Sequence, residues 1–328
     1  MQKEINDTGG DDHALYPIFV RRGRDAADFR AGFINAAGAI VVDPTYDNAS
    51  IFKNGRASVK LKGKWGAVDE FGNMLIAPIS SNQLQFSEGR AEFSSDGKYG
   101  LLDDKGNVVI LPKYENIGEF RGGLAWVESK HLYGFVDLSG HEQIPLFFED
   151  ARSFSQGLCP VKLNGKWGYI NDHAQFLIEP AFDFAGTFAE GLARIKTGNK
   201  WGFIDQAGNL TIGLQFDVAT NFHDGLAAVR IGEVWGFINR VGGMQIPSIY
   251  KHVRQFSEGK AAAQAPGQIV LGFINRLGEP VIDPQFDSVG HFRYGRCLVT
   301  TQTEIAYIDH EGARKWSAPP IELFVSDF

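Results

Sequence analysis

Eight glycines, six of them preceded by Trp or Tyr, recur along the chain at a fixed interval: Gly32, Gly66, Gly100, Gly134, Gly168, Gly202, Gly236 and Gly272. The step is 34 residues each time except the last, where it is 36. A period of this length marks a tandem array in which each unit is one supersecondary piece that buries its faces against its neighbours. With 39 Gly and 26 Phe in 328 residues, the composition favours short strands joined by tight turns. No stretch carries a 3.6-residue apolar period, so very little helix is expected.

One well-formed unit runs from Phe188 to Phe222 and contains three strand-like segments, Leu192 to Lys196, Trp201 to Asp205 and Asn209 to Ile212. The second and third are joined by Asp205-Gln-Ala-Gly208, which recurs as Asp69-Glu-Phe-Gly72, Asp103-Asp-Lys-Gly106, Asp137-Leu-Ser-Gly140 and Asn275-Arg-Leu-Gly278. Asp or Asn opens such a turn because its side chain bonds to amides ahead, and Gly closes it where a positive φ is needed. A calcium loop would need alternating carboxylates and a terminal Glu, which these turns lack. In Trp167-Gly-Tyr-Ile-Asn171 both faces of the alternation carry apolar groups, as in small sheets stacked face to face. The Phe of Phe-x-Glu-Gly (Phe86, Phe120, Phe154, Phe188, Phe222, Phe256, Phe292) is the expected plug between units.

Lys64-Trp-Gly-Ala-Val-Asp69, Lys166-Trp-Gly-Tyr-Ile-Asn171 and Lys200-Trp-Gly-Phe-Ile-Asp205, in phase with Phe-x-Glu-Gly-Leu-Ala and Pro-x-Phe-Asp elements, resemble the bacterial WG-repeat family, also called KWG repeats. The resemblance covers roughly residues 17 to 310. It implies an interaction or binding module and brings no catalytic positions with it.

The expected architecture is all-β: about nine units, each a three-stranded antiparallel meander, stacked in an open superhelical array. A closed propeller-like ring is the alternative, disfavoured because propeller blades usually have four strands and about 40 residues. The expected divisions are a polar extension at 1–15, a single repeat domain at 16–312 and a capping tail at 313–328 that includes Trp316, Ile321, Leu323, Phe324, Val325 and Phe328.

A formal charge of −7 argues against nucleic acid or an anionic membrane as the main partner and suits a basic protein. Residues 1–16 carry Glu4, Asp7, Asp11 and Asp12 and no apolar run of signal length, so a cytoplasmic monomer is the expectation. Cys159 and Cys297 stand where other units have Ala91, Ala125 or Ala193, which reads as small buried thiols. The eight histidines form no zinc spacing, and no nucleophile elbow, phosphate loop or dinucleotide fingerprint is present. Neither cofactor nor metal is expected.

Specificity is expected where the repeat departs from its pattern. The unit from Leu124 to Asp150 departs most, and its Trp126, His131, Tyr133, His141, Phe147 and Phe148 form a candidate partner-binding patch, with His131 and His141 able to face each other across a hairpin. Gln264 and Gln268 bound a lengthened loop and complete the set. The resulting expectation is a non-catalytic protein-protein interaction module, in concrete form an immunity or adaptor protein that binds and occludes a toxin or enzyme. Glycan or cell-wall binding is the alternative, since repeated aromatics also build sugar platforms, and an enzyme on a propeller-like scaffold is the third.

Overall fold

A computed structural model describes residues 15–21 and 29–318. All the regular structure among them is strand, arranged in nine separate antiparallel sheets, so the nine units counted in the sequence correspond to nine sheets. The expected three strands per unit are corrected to four in eight of them. In sheet six the strands are Phe184–Ala185, Ala193–Thr197, Lys200–Ile204 and Leu210–Phe216. The addition is the short first strand, which begins directly after the Pro-x-Phe-Asp element and in sequence looks like a linker.

The recurrent glycine is explained by the last strand. Trp201 pairs with Phe216 and Phe203 with Ile212, so Gly213, Leu214 and Gln215 bulge opposite Gly202 alone. A Cβ on Gly202 would lie 2.5 Å from the Ile212 carbonyl oxygen. The backbone that approaches this glycine belongs to the same sheet.

Joints between sheets are made by three other parts of the repeat. From Phe154 onward the plug phenylalanines are buried and meet an aromatic of the preceding sheet: Phe203 and Phe222 lie 4.9 Å apart, Phe237 and Phe256 also 4.9 Å, tilted or edge-on as ring quadrupoles prefer. Phe120 is buried against aliphatic side chains, and in sheet three Leu84 is the buried plug while the expected Phe86 is only half-buried. The acid of Phe-x-Glu-Gly reaches into the next sheet, where Gly122 and Gly123 donate their amides to Glu88, both at 2.8 Å, and Gly225 donates to Glu190 at 3.0 Å. Lys166 and Lys200, which precede Trp-Gly, bind Asp183 at 2.5 Å and Asp217 at 2.7 Å. The other oxygen of each aspartate accepts the amide of Gly198 or Gly232 in the following hairpin. These bonds hold both carboxyls below the usual range, the lysine hydrogen bond first. The Asp205 turn forms as expected, with Oδ1 accepting Ala207 and Asn209 amides and Gly208 at φ +85°.

The array closes on itself, which overturns the open superhelix. Tyr16 and Tyr307 rings sit 5.1 Å apart, the Tyr16 hydroxyl donates to the Tyr294 carbonyl, and Arg296 donates to the Ala36 carbonyl. One apolar cluster contains Ile18, Phe33 and Val59 together with Leu298, Ile305 and Tyr307. Sheets nine and one therefore pack together, and the protein is a nine-bladed β-propeller ring. Arg314–Ala318 is the fourth strand of sheet nine, so this part of the expected tail is blade; residues 319–328 and 1–14 lie outside the described residues.

Cys159 and Cys297 are free and buried, and burial pushes both thiols up, Cys297 to about 12. Neither is expected to react with a thiol reagent at pH 8 in the folded protein, and both are expected to react once it is unfolded in urea. Labelling of either in the native state would contradict their placement.

Candidate functional site

In each antiparallel meander the first and third turns lie at one end and the second turn and the link to the next sheet at the other. The ring thus has two faces. One carries the Asn54-Gly55 and Asp69–Gly72 class of turns, the other the Lys62-Gly63 class. The long fourth strands are mostly exposed and form the rim. The short first strands surround the axis, where Lys53 of sheet two reaches Glu119 of sheet four at 3.3 Å.

The atypical unit is sheet four. Trp126 and Tyr133 are both half-buried and pack together at 5.5 Å. The Trp126 indole occupies the space above Gly118, where a Cβ would lie 2.1 Å from its Nε1. His131 is exposed in the hairpin between Leu124–Ser129 and Leu132–Asp137. His141 follows the turn at the opposite end of Leu132–Asp137, about 20 Å away along a six-residue strand. The two histidines do not face each other. Phe148 is buried opposite Tyr133, in the place held by Phe182 and Phe216 in other sheets, whereas Phe147 is 60% exposed on the rim. Gln264 is buried and donates to the Gln268 carbonyl at 2.8 Å, closing its own loop in sheet eight. Trp126, His131 and Tyr133 thus share one place, while His141, Phe147 and the glutamines lie elsewhere.

Ligand atoms of Glu115, Glu128 and His131 fall within 4.8 Å of one another. Glu115 already accepts the amides of Lys130 and His131, which hold its carboxyl low, the same turn-capping duty as Asp183 and Asp217. The arrangement has a structural explanation without an ion.

Trp65 and Trp167 are buried, and Trp201 and Trp235 are half-buried. Phe184 packs between Trp167 and Trp201 at 6.2 and 4.9 Å, and Arg152 and Arg194 lie over these rings. These faces are occupied from within.

A cavity of about 600 Å³ opens at the axial mouth on the Asn54-Gly55 face. Its wall is drawn from sheets nine, one, two and three, including Tyr16, Ile51, Phe52, Gln85, His291, Arg293, Tyr294 and Arg296. It lies where sheet one, among the described residues, lacks the short first strand that the other eight sheets have. His291 and Arg293 line it, and His223 and Arg254 lie within electrostatic reach of His291. Burial and then Arg254, His223 and Arg293 lower the affinity of His291 for a proton. Sequence reading missed this cluster because the four residues come from three units. The available signal was phase: Lys53, Arg121, His223 and Arg293 occupy the same place after the plug phenylalanine.

A closed ring of nine small sheets with an open axial mouth is a propeller-type scaffold built from a repeated β-module. The chain belongs to the WG containing repeat family, which matches residues 32–65, 65–99, 99–130, 133–167, 167–201, 201–235, 235–265 and 272–301. A comparison with curated proteins gives no match. Among solved structures, a eukaryotic initiation factor is similar at 12% identity over 95% of this chain and 97% of its own, with a TM-score of 0.67. The dihydro-heme d1 dehydrogenase NirN in complex with DHE is similar at 10% identity over 98% of this chain and 76% of its own, with a TM-score of 0.51. At such identities the likeness is one of fold alone.

Proposed function

We propose that this ring is a non-catalytic protein-binding module of the immunity or adaptor kind, one that occludes a surface of another protein. The observation that carries this reading is how the side chains divide between joint and surface. The recurring Lys, Asp, Glu, Gly and Phe are engaged in holding strands and sheets together, as described above. Large apolar side chains without such a duty stand on turns and loops, Ile269 at 91% exposure and Val241 at 86%. Exposed apolar groups on variable loops of a rigid frame suit a protein partner. A glycan platform is less well supported, because Arg152 and Arg194 cover the aromatic faces a sugar would need.

Affinity capture with the intact chain at low and at high salt is expected to retain a stoichiometric protein partner. Identification by mass spectrometry then tests occlusion directly. Recovery of no protein under either condition would overturn the reading.

A further inference from the structure

The chain carries a net charge of −7, yet the axial mouth is locally cationic. His223, Arg254, His291 and Arg293 come from sheets seven, eight and nine, and none of them has an ion pair or a side-chain hydrogen bond. Of the carboxylates nearby, Asp224 accepts the Gly259 amide at 2.8 Å, and Glu258 is engaged by the Gly295 amide at 3.0 Å and by His310 Nε2 at 3.1 Å. Arg296, in the cavity wall, keeps a buried Nε without a hydrogen-bond partner. Guanidinium groups that the fold leaves without a carboxylate favour an anion in the space they border.

Beside Ser50, Gln83 and Gln85, the wall carries an apolar and aromatic part in which Tyr16, Ile51 and Phe52 face the same space. The strand Tyr16–Arg21 is the edge of sheet one on this side among the described residues. An unpaired edge offers a backbone ladder to an extended chain, and an adjoining pocket selects its side chains. A cationic rim, an apolar floor and a strand edge unpaired among the described residues together specify a ligand with carboxylates, apolar side chains and a peptide backbone.

We propose that the axial mouth binds an acidic, apolar peptide segment of a partner protein, with carboxylates received by Arg254 and Arg293 and apolar side chains by Tyr16, Ile51 and Phe52. This deepens the protein-binding reading and rests on it. It also reverses, at this one place, the preference for a basic partner that the overall charge suggests.

The test is fluorescence anisotropy of the full chain with a labelled octapeptide of alternating Glu and Leu, compared with a Lys-Leu counterpart and a thymidine octanucleotide. The Glu-Leu peptide is expected to bind saturably and to weaken with added salt. Arg293→Glu is expected to reduce its affinity at least about tenfold. Arg293 is exposed and bonds to nothing through its side chain, and circular dichroism checks that this variant keeps its fold. Lys62→Glu, on the opposite face, is expected to leave binding unchanged.

The proposal is overturned by a folded protein that does not bind the Glu-Leu peptide, or that binds the Lys-Leu peptide or the oligonucleotide as well or better. It is equally overturned if Arg293→Glu binds as the parent does. Should affinity capture retain the same partner with parent and Arg293→Glu proteins, protein binding stands and the mouth is not where it occurs.

Discussion

Gly202→Ala is expected to lower the free energy of unfolding by about 3 kcal/mol, while Gly213→Ala, eleven residues on, raises it by about 0.5 kcal/mol. The two glycines face each other across one bulge and differ only in what surrounds them. A methyl on Gly202 would sit 2.5 Å from the Ile212 carbonyl oxygen and 3.0 Å from the backbone of Gly213. Main chain cannot swing aside as a side-chain tip can, so the bulge and its ladder must shift. At Gly213 an added Cβ meets nothing within 4 Å, and its φ is not in the left-handed region. There the substitution acts through the unfolded chain, whose freedom it reduces. Corresponding positions in other units hold Ala77, Leu111 and Glu179, which shows that the site accepts side chains. Urea unfolding of both variants measures the difference; a loss of stability below about 0.5 kcal/mol for Gly202→Ala would mean that the bulge is not a fixed element of the unit.

Glu92→Gln is expected to stabilise the protein above pH 7 by as much as about 3 kcal/mol and to have little effect near pH 4.5. Glu92 lies in the second strand of sheet three, where burial, and then the Glu119 carboxylate, raise its pKa from 4.5 to about 7. Glu119 is itself held low in spite of burial, by Lys53 and Arg121, so those cations are committed elsewhere. In the unfolded chain Glu92 releases its proton near pH 4.5, whereas in the fold it retains it to about 7. Its contribution is therefore fully present below pH 4.5, declines between 4.5 and 7, and is lost above. An uncharged amide of the same shape avoids the loss. Unfolding free energies of parent and variant at pH 5 and pH 8 check the sign, and a difference independent of pH would place the side chain in water.

Much of the architecture was legible because it is local. The period, the Asp-to-Gly turns, the three longer strands and the plug phenylalanines each follow from residues a few positions apart. The short first strands were not legible, since two residues such as Phe184–Ala185 carry no alternation to detect. Closure was not legible either. It depends on the angle at each joint, which the Phe222 plug and the Glu190 latch set through contacts between units. The same limit applies to the mouth: His291 reads as an isolated histidine until the ring brings His223 and Arg254 beside it. In sheet four, Trp126 was visible as a departure from the pattern, but the placing of His131 and His141 at opposite strand ends follows only once Leu132–Asp137 is known to run straight between them.

The closing joint between sheets nine and one is thermodynamically unlike the others. Ordinary latches span 33 to 37 residues, whereas the contacts of Tyr16, Arg296 and Tyr307 span 260 to 290. Bringing together ends about eight times farther apart along the chain costs about 2 kcal/mol more entropy. An occupant of the mouth, touching sheets nine, one and two at once, would offset that deficit and act as a fastener for the whole ring.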